Sequence, residues 1–232
     1  MSSSGHLAIV PRLLGWDYAD LAPEVRKAFE VALHVGSAPA LCVAVGRHGL
    51  GPLGYLGLTL LPPAVIGGVF EDAIERRLGS VASVCVGQVL GGVALLLADL
   101  APERQRSPDA IDHLAVGSAQ AAALAPGVSR FGAALSAARL RGLSRSAAVQ
   151  LSLRAGASVT VAAGALKGAR LAGGELPAEL RPVLAAGSAA AFLSAFASLP
   201  VLPLLERRRA LRLLACYRIA LGTTVGWLDR RS

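Results

Sequence analysis

Pro126-Gly127-Val128-Ser129-Arg130-Phe131-Gly132-Ala133 interrupts an apolar stretch that covers residues 111–140. Proline, two glycines and a serine within eight residues break a helix, and each flanking piece is shorter than the roughly 20 residues that cross a bilayer. The pattern predicts a re-entrant hairpin, a pair of short helices that enters the membrane and turns back. An arginine at such a turn is costly in lipid, so Arg130 is expected to face a polar cavity and an anionic partner. The plainer alternatives are a structural ion pair or a snorkelling side chain for Arg130, and a simple helix cap for Ser129. A second polar break, Ser2-Ser3-Ser4-Gly5-His6-Leu7, opens the chain with hydroxyls and an imidazole. Together the two patches suggest phosphate chemistry at membrane depth.

Composition settles the class. The 232 residues are 54% hydrophobic and only 16% charged, with a mean hydropathy of +0.57. Soluble domains run near ~25% charged, so the chain reads as an all-α polytopic membrane protein. Residues 29–45, 55–70, 81–100, 147–166, 183–205 and 211–228 approach spanning length, which predicts six transmembrane helices besides the re-entrant pieces. A net charge of +8 would ordinarily raise nucleic acid. Here the arginines fall in loops and few aromatics are available to stack on bases, so topology explains them and nucleic-acid binding is excluded. Arg207-Arg208-Arg209 with Arg212 is expected to be a cytoplasmic loop. Counting outward places the loops near Arg47, Arg104 and Arg106 inside and both chain ends outside, with Lys167, Arg170 and Arg181 running against the rule.

Cys42, Cys85 and Cys216 lack metal-ligand spacing and read as small buried hydrophobes. No signal peptide is visible, and the chain reads as one membrane domain over 1–232, with re-entrant regions at 1–15 and 111–142. The order break, short apolar piece, glycine stop, full span occurs twice, once through Arg12-Leu13-Leu14-Gly15 and once through Arg139-Leu140-Arg141-Gly142. Interrupted segments at matching places point to a midplane site between two inverted repeats, although a chain rich in Ala, Leu and Gly also produces such matches by chance. Arg154 should point into the bundle or snorkel, and His34 and Gln150, at matching places, read as interhelical hydrogen-bonding groups. The Gly87-to-Gly91 spacing should pack two helices of one bundle, though a homodimer is an admissible arrangement. Pro62-Pro63 should kink its span, and Ser144 should cap the helix after Gly142.

These motifs in order, together with Phe29-Glu30-Val31-Ala32-Leu33-His34, Gly142-Leu143-Ser144-Arg145-Ser146-Ala147-Ala148 and Tyr217-Arg218-Ile219-Ala220-Leu221-Gly222, resemble the undecaprenyl-diphosphate phosphatase family of the bacitracin-resistance type. The resemblance covers nearly the whole chain. It implies an enzyme of the bacterial inner membrane that removes the terminal phosphate of undecaprenyl diphosphate and so recycles the lipid carrier of cell-wall synthesis. It also implies interdigitated inverted repeats, a pocket open to the outer face, and a divalent cation, Mg2+ or Ca2+. Two departures stand out. The family's first motif is preceded by a glutamate-bearing helix that this chain does not show, so a shortened chain of low activity is expected. The usual Ser-Arg-Ser-Gly is here Ser129-Arg130-Phe131-Gly132.

Hydrolysis of a phosphoanhydride needs its oxygens neutralised and a nucleophile activated. Under the resemblance, His6, Ser3 and Arg130 are the catalytic candidates. Either His6 or Ser3 is the nucleophile, and Arg130 is the guanidinium fork on the phosphate. Ser2, Ser4, Gly127, Ser129, Arg130 and Gly132 are the candidate substrate-binding positions, with backbone amides near the two glycines adding donors at a half-helix N-terminus. Metal ligands stay unassigned, because Glu30 and the expected loop cluster Glu71-Asp72-Glu75 are not at the matching positions. Two rivals keep the broken helices: a non-catalytic member or lipid-phosphate carrier, and a small-solute transporter.

Overall fold

The computed structural model describes residues 3–46, 53–172 and 179–230. Among them the regular elements are helical: α1 (Ser3–Leu14), α2 (Pro23–Gly46), α3 (Leu53–Leu78), α4 (Val81–Asp99), α5 (Ala110–Ala122), α6 (Arg130–Leu140), α7 (Arg145–Ala172), α8 (Leu180–Ser198) and α9 (Arg208–Asp229). Among the described residues four segments are long and apolar enough to cross a membrane: Pro23–Gly46, Val81–Asp99, Arg145–Leu166 and Leu180–Glu206. A fifth arises if the pair Gly54–Phe70 and Asp72–Leu78, bent by 65°, is one span. The fold is thus helical and multi-pass.

Two expectations about α3 need correction. Glu71, Asp72 and Glu75 lie within this helix rather than in a loop. The bend falls at Glu71, past Pro62-Pro63, where the apolar run gives way to charge that cannot continue through lipid. The sixth expected span corresponds to α9. At 22 residues it has the length, but Arg209, Arg212 and Arg218 keep it out of the apolar class. The cysteines also differ from expectation. Cys85 is buried, whereas Cys42 and Cys216 sit on exposed faces of α2 and α9. Arg47 lies outside the described residues.

The break predicted at Pro126 to Gly132 begins earlier, at residue 123, and ends at residue 129, separating α5 from α6, helices of 13 and 11 residues. They form a hairpin, since the end of α6 returns to the start of α5: Arg141 Nε donates to Asp112 Oδ1 at 2.8 Å. Asp109 caps α5 reciprocally with Asp112, and Ser129 caps α6 by accepting from Gly132 N at 3.1 Å. Ser144 caps α7 through Ala147 N at 3.3 Å, as its position after Gly142 predicts. The two glycine stops share one backbone pattern. Gly15 (φ 65) and Gly142 (φ 83) are left-handed, and the next residues, Trp16 and Leu143, donate back to Pro11 O at 2.8 Å and Ala138 O at 3.2 Å. A short helix, a glycine stop and a helix of 24 or 28 residues therefore occur twice.

One end of the bundle is an ionic layer. Asp99 at the end of α4 meets Arg145 (2.7 Å), Arg208 (3.4 Å) and Arg212 (3.9 Å), so the starts of α7 and α9 gather there. The loop around Arg104 and Arg106 shares this end with Arg207 to Arg209, which are expected as a loop but form the N-cap and first turn of α9, with Arg212 one turn on. Beside it, the buried Asp112 carboxylate is held by both Nη groups of Arg106, by Arg141 Nε and by the Asp109 amide. Burial pushes this carboxyl up, but those donors outweigh it and hold it well below the usual range. A depressed folded-state value means that the stabilisation is complete above the unfolded value of ~3.9 and is lost as pH falls below it. Thermal unfolding in detergent should show the midpoint dropping as pH goes below about 4. Asp112→Asn should lower stability by about 3 kcal/mol at neutral pH by leaving Arg106 and Arg141 only the more exposed carboxylate of Asp109, at 3.4 and 3.8 Å, and should flatten that acid limb. An unchanged limb in the variant would assign the acid loss to other carboxylates.

Candidate functional site between two helix breaks

The hairpin tip packs into a notch between α4 and α9. Gly127 has φ 88, and a Cβ added there would run into the Val84 backbone on α4. A Cβ on Gly87 would lie 2.7 Å from Pro126 O. The Gly87-to-Gly91 spacing thus serves packing within one bundle, as expected. Gly87 admits the tip, and a Cβ on Gly91 would collide with the guanidinium of Arg218. Arg218 is buried on α9 and donates through Nη2 to Gly127 O at 3.1 Å, with Gly87 O at 3.4 Å. Its Nη1 would be 3.0 Å from a Cβ on Gly132, and its Nε has no hydrogen-bond partner. A guanidinium donor to Gly127 O rigidifies a loop whose φ values no regular element supports.

Arg130 is the first residue of α6 and is half-buried. Among the described residues its guanidinium has neither a hydrogen bond nor an ion pair, in contrast to the arginines of the ionic layer. A cation held at a helix N-terminus without a protein anion leaves its fork of donors for an exogenous one. Ser129 is buried, and its hydroxyl is the α6 cap. The Gly132 amide, expected as a phosphate donor, is taken up by that hydroxyl, because the cap accepts from the third residue of the helix. Phe131 is partly buried and packs against the apolar core cluster that includes Leu135 and Leu151.

The chain start reaches the same level of the bundle. His6 Nε2 lies 2.8 Å from Tyr217 Oη, with the two rings stacked at 5.9 Å. Tyr217 precedes Arg218, so one turn of α9 holds both the imidazole of the first break and the tip of the second. Counting ten residues from Arg208 at 1.5 Å each puts this turn about 15 Å from the ionic layer. Ser3 Oγ lies 3.3 Å from His34 Nε2 on α2, and His34 Nδ1 lies 2.7 Å from Glu30 O. A carbonyl can only accept, so Nδ1 carries the proton and Nε2 is left to accept from Ser3. Ser2 lies outside the described residues, as does the side chain of Ser4, whose backbone belongs to α1.

Sequence reasoning missed two participants. Arg218 enters it only as part of a motif, although the cost of a buried guanidinium, the argument used for Arg130, applies to it equally. Tyr217 carried no signal that it would meet His6, 211 residues away. His34 is the interhelical hydrogen-bonding group expected, through Ser3 on α1, although its partner, 31 residues away, was not legible. Arg154 points into the bundle as expected, lining a very small cavity with His113 and Tyr55, whose rings stack at 4.5 Å. A hard divalent cation prefers several carboxylate oxygens. Among the described residues no group of three or more His, Cys, Asp or Glu could hold one, and the donors gathered at the two breaks are nitrogens and hydroxyls. The site as described does not fit a protein-held cation.

Hydroxyls, imidazoles and a guanidinium that pairs with no described residue, brought to one level of a helical multi-pass bundle by two helix breaks, form a site suited to an anionic group. The chain belongs to the bacitracin resistance protein BacA family, whose model matches residues 1–224. It is 34% identical to the undecaprenyl-diphosphatase of Geobacter sulfurreducens over 97% of this chain and 90% of that protein. It is 30% identical to the undecaprenyl-diphosphatase of Pelotomaculum thermopropionicum over 97% and 88%, and 32% identical to that of Thermomicrobium roseum over 96% and 89%.

Proposed function

We propose that the chain hydrolyses undecaprenyl diphosphate to undecaprenyl phosphate and inorganic phosphate, returning the lipid carrier to cell-wall synthesis in the bacterial inner membrane and thereby conferring bacitracin resistance. The observation that carries this reading is the convergence on α9. Tyr217 holds His6 and Arg218 holds the tip that presents Arg130, so the hydroxyl-imidazole break and the guanidinium break serve one ligand. Arg130 takes the terminal phosphate through its paired N–H groups. Ser3 is favoured over His6 as nucleophile, because its hydroxyl faces an imidazole nitrogen fixed as acceptor. Ser3 Oγ attacks the terminal phosphorus and gives its proton to His34 Nε2. The bond from that phosphorus to the bridging oxygen breaks, and its electron pair leaves with undecaprenyl phosphate. Water then attacks the phosphoserine phosphorus and the bond to Ser3 Oγ breaks; that oxygen takes back the proton held on His34 Nε2, and both protons of the water leave with the inorganic phosphate. His6, held by Tyr217, stands by as a donor to phosphate oxygens. No step is routed through a cation.

The architecture in this reading has six spans, α9 being the sixth, with α1 and the α5–α6 hairpin as re-entrant elements of two inverted repeats. The repeated glycine stops support the pairing. The ionic layer faces the cytoplasm and the pocket opens outward.

The test is phosphate release from undecaprenyl diphosphate by the purified chain in detergent, with Mg2+ or Ca2+ and after EDTA. Ser3→Ala should abolish turnover and His34→Leu should reduce it by at least about tenfold, whereas Tm stays within a few degrees. Loss with EDTA and recovery with either cation would put that ion on the substrate's own oxygens. Full turnover in Ser3→Ala would return the nucleophile to His6. No release by the wild type under any condition would favour a lipid-phosphate carrier.

A further inference from the structure

We propose that a cavity at the base of the hairpin, between Arg104 and Arg141, binds the phosphodiester headgroup of an anionic phospholipid. The cavity measures about 150 Å³ and is lined by Pro102, Arg104, Leu140, Arg141 and Gly142. Its floor is fixed by backbone. Arg104 N donates to Gly142 O at 2.8 Å, Arg106 N donates to Arg104 O at 3.0 Å, and Leu143 bridges to Arg104 in parallel. Gly142, left-handed with φ 83, lets the Arg104 stem lie across it, and a Cβ there would meet Arg104 Cδ at 3.3 Å.

Two observations give the ligand its sign and class. The Arg104 guanidinium has no hydrogen bond or ion pair among the described residues, whereas Arg106, Arg139 and Arg145 beside it each have a carboxylate within 4.0 Å. Arg141 gives Nε to Asp112 at 2.8 Å and only approaches Asp109, at 3.8 Å, so much of its fork is open. Two guanidiniums, one of them unpaired, make an anion site. The rim selects a lipid over free phosphate. Leu140, which lines the cavity, is 64% exposed and Leu100, on the preceding loop, 65%. Such side chains at the end of a spanning bundle face acyl chains. A headgroup phosphate with its tails along these leucines satisfies both parts of the site, at the end opposite the pocket mouth.

Native mass spectrometry of the full chain, released from micelles containing phosphatidylglycerol or phosphatidylcholine, tests this. Wild type should retain one phosphatidylglycerol in preference to phosphatidylcholine. Arg104→Gln should cut that retention at least fivefold, leaving thermal unfolding unchanged because Arg104 has no partner to lose. Arg208→Gln removes the same charge from the same end but outside the cavity, and should retain the lipid as wild type does. Equal losses in the two variants would mean diffuse attraction and overturn the site. So would undiminished retention in Arg104→Gln, or full displacement of the lipid by millimolar inorganic phosphate, which would make it a free-phosphate site.

Discussion

Arg130→Lys should lower phosphate release from undecaprenyl diphosphate by about a hundredfold or more while the protein stays folded. Lysine keeps the charge but presents a point of three rotating donors in place of a planar fork, and a phosphoryl group losing its bridging oxygen is held best by two parallel N–H groups. The side chain makes no hydrogen bond or ion pair with the described residues, so the fold has little to lose. The effect should therefore appear in turnover and not in thermal stability. Wild-type turnover in Arg130→Lys would remove the bidentate role, and a lowered Tm would make the arginine structural. Arg218→Lys is the instructive contrast. That guanidinium donates to Gly127 O, so its loss should cost both turnover and stability.

Gly127→Ala should destabilise the protein by about 3 kcal/mol or more and abolish activity with it. Two penalties combine: a left-handed residue gains a Cβ, at about 1–2 kcal/mol, and that Cβ is driven into the Val84 backbone, which cannot rotate away as a side chain would. Either α4 moves or the tip withdraws from α9, and with the second outcome Arg130 leaves the level of His6. Gly156→Ala in α7 is the control. A Cβ there meets nothing within 4 Å, so relief of backbone entropy should raise stability by about 0.5–1 kcal/mol. Thermal unfolding of both variants in detergent decides the matter. A Gly127→Ala protein as stable as wild type would show that the tip does not depend on its approach to α4.

The helical, membrane-spanning class was legible in the sequence because burial in lipid demands long apolar runs. So were the helix break around Pro126-Gly127, the glycine stops and the Ser144 cap, each of which depends on a few adjacent residues. The end of α3 departs from expectation: charge at Glu71, Asp72 and Glu75 argues for a loop, whereas the helix continues there at a new angle. Within the site, Arg130 was visible as a costly charge in a broken span. The partners of His6 and Ser3 were not, because contacts such as His6 with Tyr217 depend on how distant helices dock, which local pattern does not encode. The Gly132 amide was misassigned for a subtler reason: a serine three residues before a glycine competes for the same donor that a phosphate would use.

The placement of Tyr217 and Arg218 on α9 also dictates an order of assembly. Every other helix of the pocket precedes α9 in the chain and leaves the ribosome before it, yet the carbonyl of Gly127 receives its guanidinium, and His6 its phenol, only when α9 docks. Until then the two halves of the pocket have no common support, and the partly inserted chain would offer a diphosphate no organised receptor. Organisation of the pocket thus waits for α9, so that a protein in which this helix fails to insert should be silent rather than partly active.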